Sequence, residues 1–181
     1  MSARERALDA AVELLGTQGL RALTHVRVDA AAGLPRGSTS NHFRTRAALL
    51  AGVVEQIVDQ EVGGADAEGA LPPDPEAFAE LVTAMVLALT GPFRVRTTAR
   101  YVLFLEGTHD DDVRAPLLAG RARFRALAEA ALARYGAPAP SVAATAVMAA
   151  AEGMIMHRLA VDPDAEVGEA VRLVVRAAVA G

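Results

Sequence analysis

Apolar residues recur at helical spacing along almost the whole chain, and this periodicity restricts the chain to an all-α fold. Near the N-terminus, Leu8, Val12 and Leu15 recur every three or four residues, the spacing of one helix face. No stretch shows the strict alternation typical of a half-buried strand. The composition agrees, since the chain is rich in alanine, a strong helix former depleted in strands.

Breaks in the periodicity divide the 181 residues into nine predicted helices. The break richest in glycine and proline is the segment 63–75, GGADAEGALPPDP, which we interpret as a linker. We expect a first domain over residues 1–46 and a second, helical domain over residues 47–181. The predicted helices are 4–18, 25–32, 35–42, 46–62, 75–90, 93–108, 110–135, 141–161 and 164–180.

Several classes of protein are excluded by what the sequence lacks. No apolar run approaches the roughly 18–20 residues that cross a bilayer, and the N-terminus is amphipathic rather than signal-like. The absence of cysteine excludes disulfides, thiolate metal sites and cysteine nucleophiles. We therefore expect a cytoplasmic protein that has no membrane partner.

Charge is distributed unevenly along the chain. Its net charge is −4, yet residues 1–50 carry seven arginines against four acidic residues, a net of +3. All 18 basic residues are arginine. A basic N-terminal domain on an acidic body is the asymmetry expected when one end binds a polyanion.

The segment from Thr24 to Phe43, THVRVDAAAGLPRGSTSNHF, predicts a helix-turn-helix. Thr24 is a suitable N-cap for the first helix, and Gly33 permits the chain to reverse. The second helix carries five consecutive polar residues, from Ser38 to His42, which we expect to face outward into a major groove. Phe43 is expected to anchor this helix in the core.

The same residues resemble the tetracycline-repressor (TetR) family. The first predicted helix and its glycine-led turn, LDAAVELLGTQGLRALT, are followed by AAGLPRGSTSNHFRTRAALL. This second stretch has the family's Ala-Gly turn, Gly-containing recognition helix, His-Phe end and Ala-Leu-Leu start of the next helix. The sequence departs from the family twice, with Ser40 where a phosphate-binding tyrosine is usual and Asp29 where helix-turn-helix motifs prefer alanine. A carboxylate at that position must reach water, a backbone amide or an arginine.

The resemblance implies a homodimeric, ligand-responsive transcriptional repressor with no cofactor. Its partners would be a near-palindromic double-stranded DNA operator and a small, largely apolar inducer. The residues implied in DNA binding, together with the flanking arginines suited to phosphates, are Thr24, Arg36, Gly37, Ser38, Thr39, Ser40, Asn41, His42, Arg44 and Arg46.

The second domain is expected to bind the inducer and to dimerise. Helices eight and nine each carry an apolar stripe, and Leu173 and Val175 widen that of helix nine beyond what one neighbour covers. We therefore expect the two helices to form the homodimer interface, although packing within one chain would also use them. The candidate inducer-binding residues are Met85, Tyr101, Phe104, Glu106, His109, Phe124 and Glu152.

Two alternatives remain open from the sequence. Glu106 and His109 form a Glu-x-x-His unit, the spacing used twice in di-iron helical bundles, but Glu152 and His157 are five residues apart and do not repeat it. No phosphate loop, nucleophile elbow or dinucleotide fingerprint occurs, so we expect neither an enzyme nor a metal protein. The other alternative is a helical binding protein with a degenerate helix-turn-helix, suggested by Ser40 and Asp29.

Overall fold

A computed structural model of the chain describes residues 1–65 and 71–180, with side chains for all of these except 62–65. Within those ranges it contains nine α-helices, one short 3₁₀ turn and no strand, which confirms the predicted all-α fold. The α-helices are α1 (Ala3–Gln18), α2 (His25–Ala31), α3 (Ser38–His42), α4 (Arg46–Ala65), α5 (Pro75–Thr90), α6 (Arg94–Glu106), α7 (Asp111–Arg134), α8 (Pro140–Ala160) and α9 (Gly168–Ala180).

Two helices begin three or four residues later than the sequence predicts. α3 starts at Ser38 rather than Pro35, because Gly37 takes a left-handed conformation (φ 92°) that interrupts the helix. α9 starts at Gly168 rather than residue 164, because Asp162 accepts a hydrogen bond from the Asp164 backbone N–H and forms a turn. The predicted linker 63–75 overlaps the end of α4 and the first residue of α5, and its residues 66–70 lie outside the described residues.

The chain divides into two compact units. The first comprises Met1–Ala65 and Val95–Gly120, and the second comprises Asp66–Arg94 and Arg121–Gly181. The segment 95–120, containing most of α6 and the start of α7, thus packs with the N-terminal helices. The predicted boundary at residue 46 stays a prediction.

The core of the first unit is built around α1 and α4. α1 begins with a capping box, in which the Ser2 hydroxyl accepts from the Glu5 backbone N–H and the Glu5 carboxylate accepts from the Ser2 N–H. The stripe predicted for α1, Leu8, Val12 and Leu15, is buried, and Phe43 is only 5% exposed, so its role as a core anchor is confirmed. The largest fully buried side chains of this unit are Leu8, Leu15, Leu23, Val28, Leu49, Val53, Val54, Ile57 and Leu103.

The second unit packs α5, α8 and α9 against each other and against the second half of α7. Phe78, Val82, Leu132, Val171 and Val175 form the centre of its core. In the part of the chain that the structure describes, no single helix is long and apolar enough to span a membrane. α5 and α6 pass this test of length and composition only when they are counted together as a bent pair.

Candidate DNA-binding site

α2 and α3 form the predicted helix-turn-helix. Thr24 is the N-cap of α2, since its hydroxyl accepts from the Arg27 backbone N–H at 3.4 Å. The turn passes through Gly33, whose φ of 60° is a conformation that glycine adopts without strain. From α1, Arg6 donates to the carbonyl oxygens of Ala32 (3.2 Å) and Gly33 (3.0 Å), which have no partner inside α2.

Asp29 of α2 is buried and binds the beginning of α3. One carboxylate oxygen accepts from the Thr39 backbone N–H (2.7 Å) and the Thr39 hydroxyl (2.5 Å), and the other accepts from the Gly37 backbone N–H (2.7 Å). Of the three partners that the sequence left open for this carboxylate, the structure shows the backbone amide. The departure from alanine at this position therefore coexists with a closely packed helix pair.

Burial raises the pKa of the Asp29 carboxyl, but the hydrogen bonds from Thr39 and Gly37 outweigh it, and the pKa lies below its ordinary value. Electrostatic attraction to His25 acts in the same direction. Asp29 is therefore ionised at neutral pH, although only 3% of it is exposed.

The exposed face of α3 is narrower than the sequence predicts. Ser40, Asn41 and His42 are exposed and Ser38 is half-buried. The prediction that all five polar residues face outward is wrong for Thr39, which has no exposed surface because its hydroxyl donates to the buried Asp29. Thr39 and Phe43, four residues apart, are buried and pack α3 against the rest of the unit. The three residues between them form the outer surface of the helix.

The arginines that the sequence assigns to phosphates flank this face. Arg36 and Arg44 are exposed in the loops before and after α3, and Arg46 is exposed at the start of α4. The Arg46 guanidinium also donates to the Leu20 carbonyl at 3.2 Å, which ties it to the turn after α1. Thr24 is exposed at the start of α2, and Gly37 is half-buried in the turn before α3.

Sequence reasoning missed His25, which the structure places at the other end of α3. Its Nε2 lies 2.6 Å from the Phe43 carbonyl oxygen. Because a carbonyl only accepts, the ring must carry a proton on Nε2. The spacing of His25 and Asp29, one helical turn apart, was the one available signal. Arg6 was missed as well, because its two acceptors are backbone carbonyls about 26 residues away, which no side-chain pattern reveals.

The candidate inducer-binding residues are divided between the two units. Tyr101, Phe104, Glu106 and His109 belong to the first unit, and the Tyr101 ring lies beneath the Arg100 guanidinium at 5.3 Å. The others, Met85, Phe124 and Glu152, belong to the second unit.

Two of these residues have surroundings that bear on the prediction. Met85 is 40% exposed, because Phe78, Val82 and Val86 take the core positions of α5. Glu152 forms an ion pair with Arg121.

The metal-binding alternative has no support in the described residues. Glu106 is the last residue of α6, whereas His109 lies in the loop beyond it and donates its backbone N–H to the Glu106 carbonyl. The pair therefore does not occupy one helix face. Over residues 1–65 and 71–180, no three acidic or histidine side chains are grouped as a metal ion would need.

Comparisons with known proteins agree with this geometry. Residues 7–53 match the family described as bacterial regulatory proteins of the tetR family, and residues 73–181 match the tetracyclin repressor-like C-terminal domain. No curated protein sequence matches the chain.

Similar solved structures cover nearly the entire chain. A TetR-family member from Streptomyces coelicolor A3 is 26% identical with a TM-score of 0.80, over 99% of both chains. The multidrug binding protein EbrR in complex with ethidium is 26% identical with a TM-score of 0.76, over 98% of this chain and 99% of that one. A transcriptional regulator from Rhodococcus sp. Rha1, at 17% identity and a TM-score of 0.84 over 99% and 97% of the two chains, shares the fold. The chain therefore belongs to the tetR family of bacterial regulatory proteins and is a ligand-responsive, DNA-binding regulator of transcription.

Proposed function

We propose that the protein is a cytoplasmic, homodimeric repressor that leaves a near-palindromic operator when a small, largely apolar inducer binds. It acts by binding alone and uses no catalytic residue or cofactor. The observation that carries the proposal is the face of α3, where Ser40, Asn41 and His42 are exposed between the buried anchors Thr39 and Phe43.

This face has the size and chemistry for reading base edges. A major groove admits one helix, and short polar side chains make hydrogen bonds to the bases there. Asn41 suits adenine, to which an amide donates and accepts at once. The exposed Arg36 and Arg44 lie on either side in sequence and supply charge for phosphates, while Thr24 and Arg46 stay candidates for the same contacts.

Dimerisation through α8 and α9 is supported by an apolar groove on these two helices. Its volume is about 390 Å³, and Val142 and Leu173 beside it are each 69% exposed. Large exposed apolar side chains that cluster on one surface are typical of a protein interface. A second copy related by a two-fold axis would cover them with the same residues. The residues around this groove are Pro138, Ala139, Val142, Ala143, Ala146, Leu173, Val174, Ala177 and Ala178.

The inducer is proposed to be a largely apolar, aromatic molecule by analogy with EbrR, whose structures contain the aromatic cations ethidium and malachite green. Apolar walls with a few polar groups are the usual form of such a site. We keep Met85, Tyr101, Phe104, Glu106, His109, Phe124 and Glu152 as the residues to test. Release would follow from a higher affinity of the inducer for the conformation that does not fit the operator.

Selection of operators from random DNA with the purified protein tests this function. We expect an enriched sequence with two half-sites about one helical turn apart, roughly 34–36 Å, because each half-site receives one α3 of the dimer. Selection of a single, unpaired half-site would contradict the dimer, and recovery of unselected DNA would contradict sequence-specific binding.

A further inference from the structure

α3 is too short to determine its own position. It has five residues, whereas isolated helices shorter than about 12–15 residues are marginal in water. Its angle must therefore be set by its contacts with the neighbouring helices. Only Phe43, just after its last residue, is a large apolar anchor, and this anchor holds the C-terminal end.

The N-terminal end of α3 is held by a polar contact instead. Both oxygens of the buried Asp29 carboxylate are used, and their three donors are the Thr39 N–H, the Thr39 hydroxyl and the Gly37 N–H. All three bonds are 2.5–2.7 Å long. If α3 turned, all three donors would lose a charged acceptor, and the two buried donors of Thr39 would have no water to replace it, which makes displacement costly.

The two ends are held by neighbouring positions on α2. Asp29 binds the start of α3, and His25, one turn earlier on α2, donates to the Phe43 carbonyl at its end. A pair of residues four apart faces the same direction on a helix. One face of α2 thus sets both ends of the helix that carries Ser40, Asn41 and His42.

We propose that Asp29 is a positioning residue for DNA recognition, acting through Thr39 and Gly37 to fix the angle at which α3 presents its exposed side chains. The proposal rests on the proposed function, in which α3 reads base edges. Hydrogen bonds to bases weaken steeply as their angles deteriorate, whereas phosphate attraction tolerates displacement. Loss of the Asp29 contacts should therefore reduce selectivity more than overall DNA affinity.

Asp29→Asn keeps the size of the side chain but removes its charge and one of its two acceptor oxygens. An asparagine side chain has one acceptor oxygen, so its NH₂ group would meet either the Gly37 N–H or the Thr39 donors. Thr39→Ser keeps both Thr39 donors and should behave like the wild type, whereas Thr39→Val removes only the hydroxyl donor. Asp74→Asn is the matched control, because Asp74 also caps a helix, α5, by accepting from the Ala77 N–H.

The measurement is the ratio of affinities for the selected operator and for a scrambled duplex of equal length, by fluorescence anisotropy at one salt concentration. We expect Asp29→Asn to lower this ratio about tenfold, the equivalent of one buried donor left unpaired. Thr39→Val should lower it less, and Thr39→Ser and Asp74→Asn should leave it unchanged. Circular dichroism measures the folded fraction of each variant. Partial unfolding lowers the affinities for both duplexes equally, so it leaves their ratio unchanged. If Asp29→Asn does not fold, Thr39→Val carries the test.

The outcomes distinguish the two proposals. If the wild-type protein shows no preference for any operator, the proposed function is wrong. If the wild type is selective and both the Asp29→Asn and Thr39→Val proteins, when folded, keep the wild-type ratio, Asp29 has no positioning role. If Thr39→Val lowers the ratio and Thr39→Ser does not, the positioning role of Asp29 is supported, even where Asp29→Asn is too unstable to measure.

Discussion

At the scale of single residues, the polar contacts between α2 and α3 replace the small apolar contact that such a motif usually has. Asp29 and Thr39 are both buried, and each supplies what the other lacks. A buried carboxylate without partners would be costly, but three donors satisfy this one. Each of the two buried side chains is therefore the hydrogen-bond partner of the other, and replacing one of them leaves a buried polar group unsatisfied.

The stability contributed by Asp29 should depend on pH. Because its pKa is lowered in the folded protein, its contribution is fully present above the unfolded value of about 3.9 and is lost as the pH falls through the folded value. At pH 7 we expect Asp29→Asn to lower the free energy of unfolding by about 1–3 kcal/mol. Denaturant titrations of both proteins between pH 7 and pH 2.5 measure the difference, which should shrink below pH 4. A difference that stays constant over this range would show that ionisation of Asp29 is not involved.

Alanine substitutions at the exposed residues of α3 and at the arginines beside it should change DNA binding in different ways. Asn41→Ala or His42→Ala should relax the preference at one operator position and cost about 1–3 kcal/mol against the correct base. Arg44→Ala should weaken binding to all sequences and reduce the slope of affinity against salt by about 1. Arg134→Ala, at the end of α7, is a charge-matched control expected to change neither. Equal loss of selectivity in the Asn41 and Arg44 variants would refute the division between base and phosphate contacts.

At the scale of elements, glycines mark where helices of the first unit approach closely. A Cβ added to Gly16 of α1 would overlap the Val95 carbonyl oxygen and lie 2.7 Å from Val95 Cγ1. A Cβ on Gly52 of α4 would lie 2.6 Å from the Phe43 ring. α6 therefore rests directly on α1, and the anchor of α3 rests on α4. Movement of either helix would reach the DNA-binding helices through these contacts.

Gly16→Ala should destabilise the protein by about 1–3 kcal/mol, because backbone rather than a flexible side chain must move to admit the methyl group. Gly153→Ala in α8 is the matched control, since no atom outside its own helix backbone lies within 4 Å of the added carbon. It should be neutral or stabilising by about 0.5–1 kcal/mol through helix propensity. Thermal melts of the two variants provide the comparison. Equal melting temperatures would mean that α1 and α6 are not packed as closely as the structure shows.

Elements with strong local signals were predicted well from the sequence. α1 and α5 were found nearly to the residue because their caps, apolar stripes and stop signals coincide. α3 was predicted three residues too long because its start depends on Gly37 adopting a left-handed conformation, which the sequence permits but does not require. Thr39 was assigned to the wrong face for a related reason. Its burial depends on a partner ten residues earlier, and polarity alone indicates the surface.

At the scale of the whole molecule, the charge distribution and the exposed apolar groove indicate two different partners, DNA and a second copy of the chain. The basic residues concentrate at the N-terminal end, where they favour DNA, while the remaining chain is acidic and would be repelled by it. The groove on α8 and α9 lies in the acidic part and is lined by apolar side chains. A second copy of the chain could cover it and add a second basic end to the same assembly. Affinity for a two-site operator then follows from linking two weak half-site contacts.

Leu173→Glu tests this assembly. Leu173 is 69% exposed beside the groove, so in a two-fold interface a glutamate there would be buried facing its own copy. We expect dimerisation to weaken by about 2 kcal/mol, roughly thirtyfold, measured by sedimentation velocity over a range of concentrations. Leu105→Glu on α6 is the matched control, because Leu105 has the same 69% exposure and lies outside the groove. Operator affinity should fall in parallel with the dimer population for Leu173→Glu alone. If both variants assemble like the wild type, the two copies meet through another surface and the groove on α8 and α9 needs a different occupant.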